Sequence, residues 1–249
     1  MANQNGVVER PRPSRQENAE AQHAYHLQQA EQPKQVPGEL DVRTFDHRVG
    51  ERESPNTAPQ VADDPALMAA RSAFEAMHSR LAQIVEGESA VRADPTLTDG
   101  AKTLQIADLY TPPRHGNAPT DRVAKVLGEV REAYNTASWR VDRAVKQAMD
   151  ATDSRELRDR VSAMSSEQRE ELLRDIRQSG DVKLAAALTA HPSPWASGLS
   201  RGEYKELRRF AENKLVPDEV RRRDQLKAAE EQLVKGQDNY LATVTSWEP

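Results

Sequence analysis

Cysteine is absent from this chain. Disulfides, thiolate zinc sites, iron–sulfur clusters and cysteine nucleophiles are therefore excluded, and the absence fits a reducing compartment. Aromatic residues are scarce, with three Phe, five Tyr and three Trp in 249 residues. The core must come mainly from Leu, Val, Ala and Met, whose Ala-rich layers let helices approach closely while burying little area each. No run approaches the roughly 18 apolar residues that span a bilayer, and the N-terminus lacks the apolar stretch of a signal peptide. No membrane contact is expected. Neither sign of charge dominates, the net being −5. So mild an acidity gives no overall attraction for nucleic acid or anionic lipid, and such binding would need a local basic patch.

Phosphate-binding signatures are missing too. The chain has no Gly-x-x-x-x-Gly-Lys phosphate loop and no Gly-x-Gly-x-x-Gly fingerprint. Carboxylates are plentiful, but none stands in an apolar setting that would raise its pKa for acid catalysis. Asp94, Asp99 and Asp181 fit turn and cap roles. His23 and His26 are three apart, and His47 lies beyond two prolines, so a metal site would lack its third and fourth ligands. No enzymatic activity, cofactor or metal is expected.

What is present is a division. Residues 1–62 are punctuated by Pro11, Pro13, Pro33, Pro37, Pro55 and Pro59, each removing a backbone donor and discouraging a helix across it. A polar helix over 15–32, with Tyr25 and Leu27 as its only large apolar groups, would be marginal in water. The few large apolar side chains of this arm cannot offset the entropy of ordering it, so it is expected to be extended and disordered when free. Leu40, Val42 and, imperfectly, Phe45 alternate along the chain. They predict a short docking segment, added as a strand to another protein.

Residues 64–249 read as helices. Asp64 caps and Pro65 opens the first, with Leu67, Ala70, Phe74, Met77, Leu81 and Ile84 in one stripe and Asp94-Pro95 at its end. Thr98 caps a shorter helix carrying Ala101, Leu104 and Leu109, broken by the Pro112-Pro113 loop. From about Thr120 to Asp150, Val123, Leu127, Val130, Tyr134, Ala137, Val141, Ala144 and Ala148 recur in steps of four and three. Several short helices follow over 153–215, opened by Ser165 with Gln168 and by Ser200 with Glu203 at capping-box spacing. Between them the 191–199 linker has Trp195 and Leu199 as apolar anchors. Pro217 permits a last long helix with Leu226, Ala229, Leu233, Tyr240, Val244 and Trp247 in its stripe. The pattern predicts an all-α fold: an elongated bundle of three long helices, a side module of short helices over 153–215, and an extended N-terminal arm.

Two features point to partners. Trp139 falls on the helix face opposite the apolar stripe, so it is either covered by a second layer or presented to a partner. Arg221, Arg222 and Arg223, with Arg208, Arg209 and Lys214 upstream, form the densest basic run. Interleaved Glu206, Glu212, Asp218 and Glu219 dilute it, so a solvated charged face is favoured over a nucleic-acid surface.

Asp94-Pro95-Thr96-Leu97-Thr98 before a helix, Gly180-Asp181 opening another, and Ser197-Gly198-Leu199-Ser200 before the next carry a resemblance. Over residues 66–240 the chain resembles a group of helical proteins that tailed bacteriophages encode among their virion genes. The resemblance implies a structural or assembly role in the particle, at a capsid-associated, neck or internal position. Other virion proteins and further copies of this chain would be its partners. Its place would be the virion, and the host cytoplasm during assembly. A secreted bacterial effector or adaptor binding a host protein, or a nucleic-acid-binding accessory protein, are the alternative readings.

Overall fold

The computed structural model describes residues 34–50, 64–111, 118–148 and 153–247. The Arg15–Gln32 helix, Tyr25, Leu27, His23 and His26 lie outside the described residues. The chain divides into two units between Val36 and Pro37, and the second, Pro37–Pro249, is described below.

Nine α-helices make up the described part of this unit, and no strand occurs there. They are α1 (Val42–Gly50), α2 (Pro65–Ala93), α3 (Asp99–Tyr110), α4 (Pro119–Gln147), α5 (Asp153–Ser162), α6 (Ser166–Ser179), α7 (Val182–Thr189), α8 (Arg201–Leu215) and α9 (Pro217–Trp247). The fold is all-α, as the periodicity predicts. The three long helices α2, α4 and α9 pack on one another in all three pairings. Their facing stripes are fully buried: Leu67, Ala70, Phe74, Met77, Leu81 and Ile84 from α2, Val123, Val130, Ala137, Val141 and Val145 from α4, and Leu226, Ala229 and Leu233 from α9.

Local chemistry sets the helix boundaries. Asp64 accepts from the amides of Ala66 (2.9 Å) and Leu67 (3.3 Å), two donors that the first turn of α2 leaves unpaired. Burial works against its charge, but the Arg222 guanidinium and those amides outweigh it and hold the Asp64 pKa below the usual carboxylate value. Thr98 caps α3, and Asp181 caps α7. Both expected capping boxes form: Ser165 with Gln168 opens α6, and Ser200 with Glu203 opens α8. At Gly236 a Cβ would meet Phe74 Cε2 at 2.7 Å, so α9 crosses α2 where only a hydrogen fits.

The segment expected to dock on another protein is folded into the body instead. Gly38–Leu40 form a 3₁₀ turn and Val42–Gly50 form α1, which packs on α9 and α2. Leu40 and Phe45 are wholly buried within the chain, and the Phe45 ring centroid lies 5.2 Å from that of Phe74. Val42 is half-buried at the first turn of α1. The physical reason is Asp41. Its carboxylate accepts from the Arg43 amide at 2.8 Å, and its carbonyl accepts from the Thr44 and Phe45 amides. A helix begins there, and Phe45 and Val49, four apart, face the core. Arg71 reaches Asp46 at 2.9 Å and Arg48 reaches Gln232 at 3.1 Å, fastening α1 to α2 and α9. The disordered arm expected over 1–62 therefore does not include 37–50, which belongs to the second unit.

The short helices α5–α8 enclose a second core of Val161, Leu173, Ile176, Ala185, Leu188, Leu199, Leu207 and Ala211. Gly198, at φ 64°, makes the turn into α8, and a Cβ there would lie 2.7 Å from the Ser162 backbone. Leu199 anchors this linker, as expected. Trp195 does not, being 77% exposed, because the 3₁₀ turn Pro194–Ser197 points it outward while Ser197 goes in to bond the Leu188 carbonyl. In α3 the register also differs: Ile106 and Tyr110 are buried and Leu104 is exposed.

Candidate partner-binding face

The core stripe of α4 puts its opposite side in solvent. Gly128, Arg131, Glu132, Asn135, Thr136, Trp139 and Arg143 follow at helical steps along that outer side, and all are exposed. Gly128 to Trp139 line a shallow depression to which, among the described residues, only α4 contributes. Trp139 is 58% exposed and lies on the face opposite the core, where its spacing predicts it. The Arg143 guanidinium carbon is 5.2 Å from its ring centroid, a cation–π distance that holds the indole along the helix. Arg131 donates to Glu230 at 2.6 Å and Arg140 to Glu219 at 2.9 Å, so flanking charges tie α4 to α9. Leu40, Val42 and Phe45, the other expected contact residues, are not on this face. The sequence alone does not single out Arg131, Glu132, Asn135 and Arg143, although steps of four, seven and eight from Trp139 place them beside it.

The arginine run does not form one basic patch. Arg221 pairs with Asp218, Arg222 with Asp64, and Arg223 with Glu212 and Asp224. Successive helix positions point about 100° apart, so three adjacent arginines diverge toward three sets of carboxylates. Upstream, Arg208 bonds Glu212 at 2.7 Å, the Thr189 carbonyl at 3.2 Å and Asp142. Glu212 is thus buried between Arg208 and Arg223, where α4, α8 and α9 meet.

Two carboxylates, Glu88 and Glu212, occupy buried positions that were not expected from sequence. Glu88 sits near Ile84 and Ile106 and accepts from Arg92 at 2.6 and 3.0 Å and from the Tyr110 hydroxyl at 2.8 Å. Burial, then the Glu88 bond, pushes the Tyr110 pKa well above its ordinary value, so the phenol stays a donor. Arg80 donates to the Leu109 carbonyl at 2.6 Å. These bonds pin the end of α3 to α2. Among the described residues, no three His, Cys, Asp or Glu side chains are grouped to hold a metal, and no helix is long and apolar enough to cross a membrane. Comparison with protein-family profiles, curated proteins and solved structures finds no match to this chain.

Proposed function

We propose that this chain is a non-enzymatic structural or assembly protein of a bacteriophage particle that docks on neighbouring subunits through the outer face of α4. Trp139 carries the reading. A large indole, 58% exposed, stands among polar residues on a long helix whose other side is locked into the bundle. Tryptophan in such a setting is the residue type that most often dominates interface energies. The resemblance to virion proteins supplies the kind of neighbour. The paired arginines of 221–223 lend no support to a nucleic-acid reading. The test is Trp139→Ala in the phage genome, with the chain quantified by mass spectrometry of purified particles. Incorporation should fall at least tenfold while the thermal melt of the isolated protein is unchanged. Normal incorporation of a folded variant overturns the proposal.

A further inference from the structure

The charges around Trp139 carry a pattern that a second copy of this chain would satisfy. Arg131 and Glu132 precede the indole, and Asp142 and Arg143 follow it, each pair offset by eleven residues. Eleven residues are three helical turns plus about 20°, so Arg131 and Asp142 share one flank of the outer stripe and Glu132 and Arg143 share the other. Opposite charges therefore occur at the two ends of each flank. All four side chains are exposed. Arg131 keeps 58% of its side-chain surface while bonded to Glu230, and Asp142 keeps 61% while bonded to Arg208.

We infer that α4 pairs antiparallel with α4 of a second copy about a twofold axis at the level of Ala137. Such an axis reverses direction along the helix but keeps each flank on its own side. Arg131 then faces Asp142 of the second copy, and Glu132 faces Arg143 of the second copy. Symmetry doubles both, giving four ion pairs around the centre. Each Trp139 lies over Asn135 of the other copy, and the two indoles flank the axis. A parallel pair would exchange the flanks and set Arg131 against Glu132 and Asp142 against Arg143, so exchanging the charges of Glu132 and Arg143 restores the antiparallel pairs alone and decides the direction. One helix pair buries less than the roughly 1,200 Å² of a standard interface, so the dimer is a weak one, on the order of micromolar.

This inference rests on the outer face of α4 being the docking face, and its test separates the two. Sedimentation of the full chain over about 1–200 μM, a range set by that affinity, should show a concentration-dependent dimer. Glu132→Lys alone sets Lys against Arg143 of the second copy, and Arg143→Glu alone sets Glu against Glu132. Each should weaken dimerisation at least tenfold. The double variant exchanges the two charges and should recover most of that loss, with circular dichroism melts confirming that every variant is folded. A wild-type chain that stays monomeric, or a double variant no better than the singles, overturns the dimer. If Trp139→Ala nonetheless loses particle incorporation, the docking face stands and its partner is a different protein. If the dimer forms and Trp139→Ala incorporates normally, the dimer stands and the particle role falls.

Discussion

The long-helix bundle and the short-helix module solve the same problem with different means. The bundle is held by three continuous apolar stripes and by a glycine that brings α9 against Phe74. The module has a smaller core, two capping boxes and an αL glycine cap at Gly180, so much of its order is local. Where the two meet, Arg208 and Arg223 surround Glu212, with Asp142 and Asp224 outside them. The contrast teaches that apolar area stabilises the long helices while hydrogen-bonded charge sets where the module sits. A buried ion pair adds little net stability over an apolar contact, but losing one member leaves a stranded charge.

Breaking the apolar side should give the largest effect. Phe45→Ala removes a fully buried ring from the contact with Phe74 and should cost about 3–5 kcal/mol in urea unfolding. Hydrogen exchange should show the loss in α1, α2 and α9 and spare α5–α8. Breaking the ionic side comes next. Arg208→Met leaves Glu212 with Arg223 alone and should cost about 3 kcal/mol. Amide protection in α5–α8 should then fall before that of the bundle, and equal loss throughout would erase the distinction between the regions.

Two glycines sharpen the comparison within the bundle. Gly236→Ala forces a methyl to 2.7 Å from Phe74 and should destabilise by about 1–3 kcal/mol despite better helix propensity. Gly128→Ala meets nothing within 4 Å and should stabilise by about 0.5–1 kcal/mol. Thermal melts of the pair, opposite in sign, check both.

The smallest effect is on pH dependence. Asp64 in the bundle has its pKa lowered by Arg222 and the helix amides against the effect of burial, and Glu203 in the module has its pKa lowered by its bonds with Ser200. A carboxyl whose folded pKa is depressed stabilises the fold above its unfolded pKa, and that contribution is lost as pH falls through the folded value. Stability should therefore decline as pH drops from about 5 toward 2, the range of carboxyl titration. Asp64→Ala should cost about 1 kcal/mol at neutral pH and progressively less as pH falls through the carboxyl range.

The regular part of the fold was legible because its causes are local. Asp64-Pro65, the two capping boxes and Pro217 act on their own turns, and the stripes of α2, α4 and α9 repeat long enough to average out exceptions. Residues 37–50 were misread because nine helical residues give too short a period to oppose an apparent alternation, and because Leu40 and Phe45 fold only against α2 and α9. Buried Glu88 was invisible for a similar reason: Tyr110, its partner, lies 22 positions away and on another helix. Trp139 was legible as an anomaly because it contradicts its own helix. The charges around it align only once the helix places residues eleven apart on one flank.

One corner of the molecule has geometric reach beyond its size. α8 ends at Leu215 and α9 begins at Pro217, leaving Val216 alone between them at φ −144°, ψ 61°. Pro217 cannot continue the hydrogen bonding of α8, so the two helices cannot fuse through it. The direction of a 15-residue helix relative to a 31-residue one thus hinges on a single pair of dihedral angles, with the Arg208–Glu212–Arg223 ions acting as the latch. At such a joint a change of a few tens of degrees, amplified along the about 22 Å of α8, displaces its far end by roughly 10 Å. On this side of the module, one joint and one latch thus set the direction of α8 against α9.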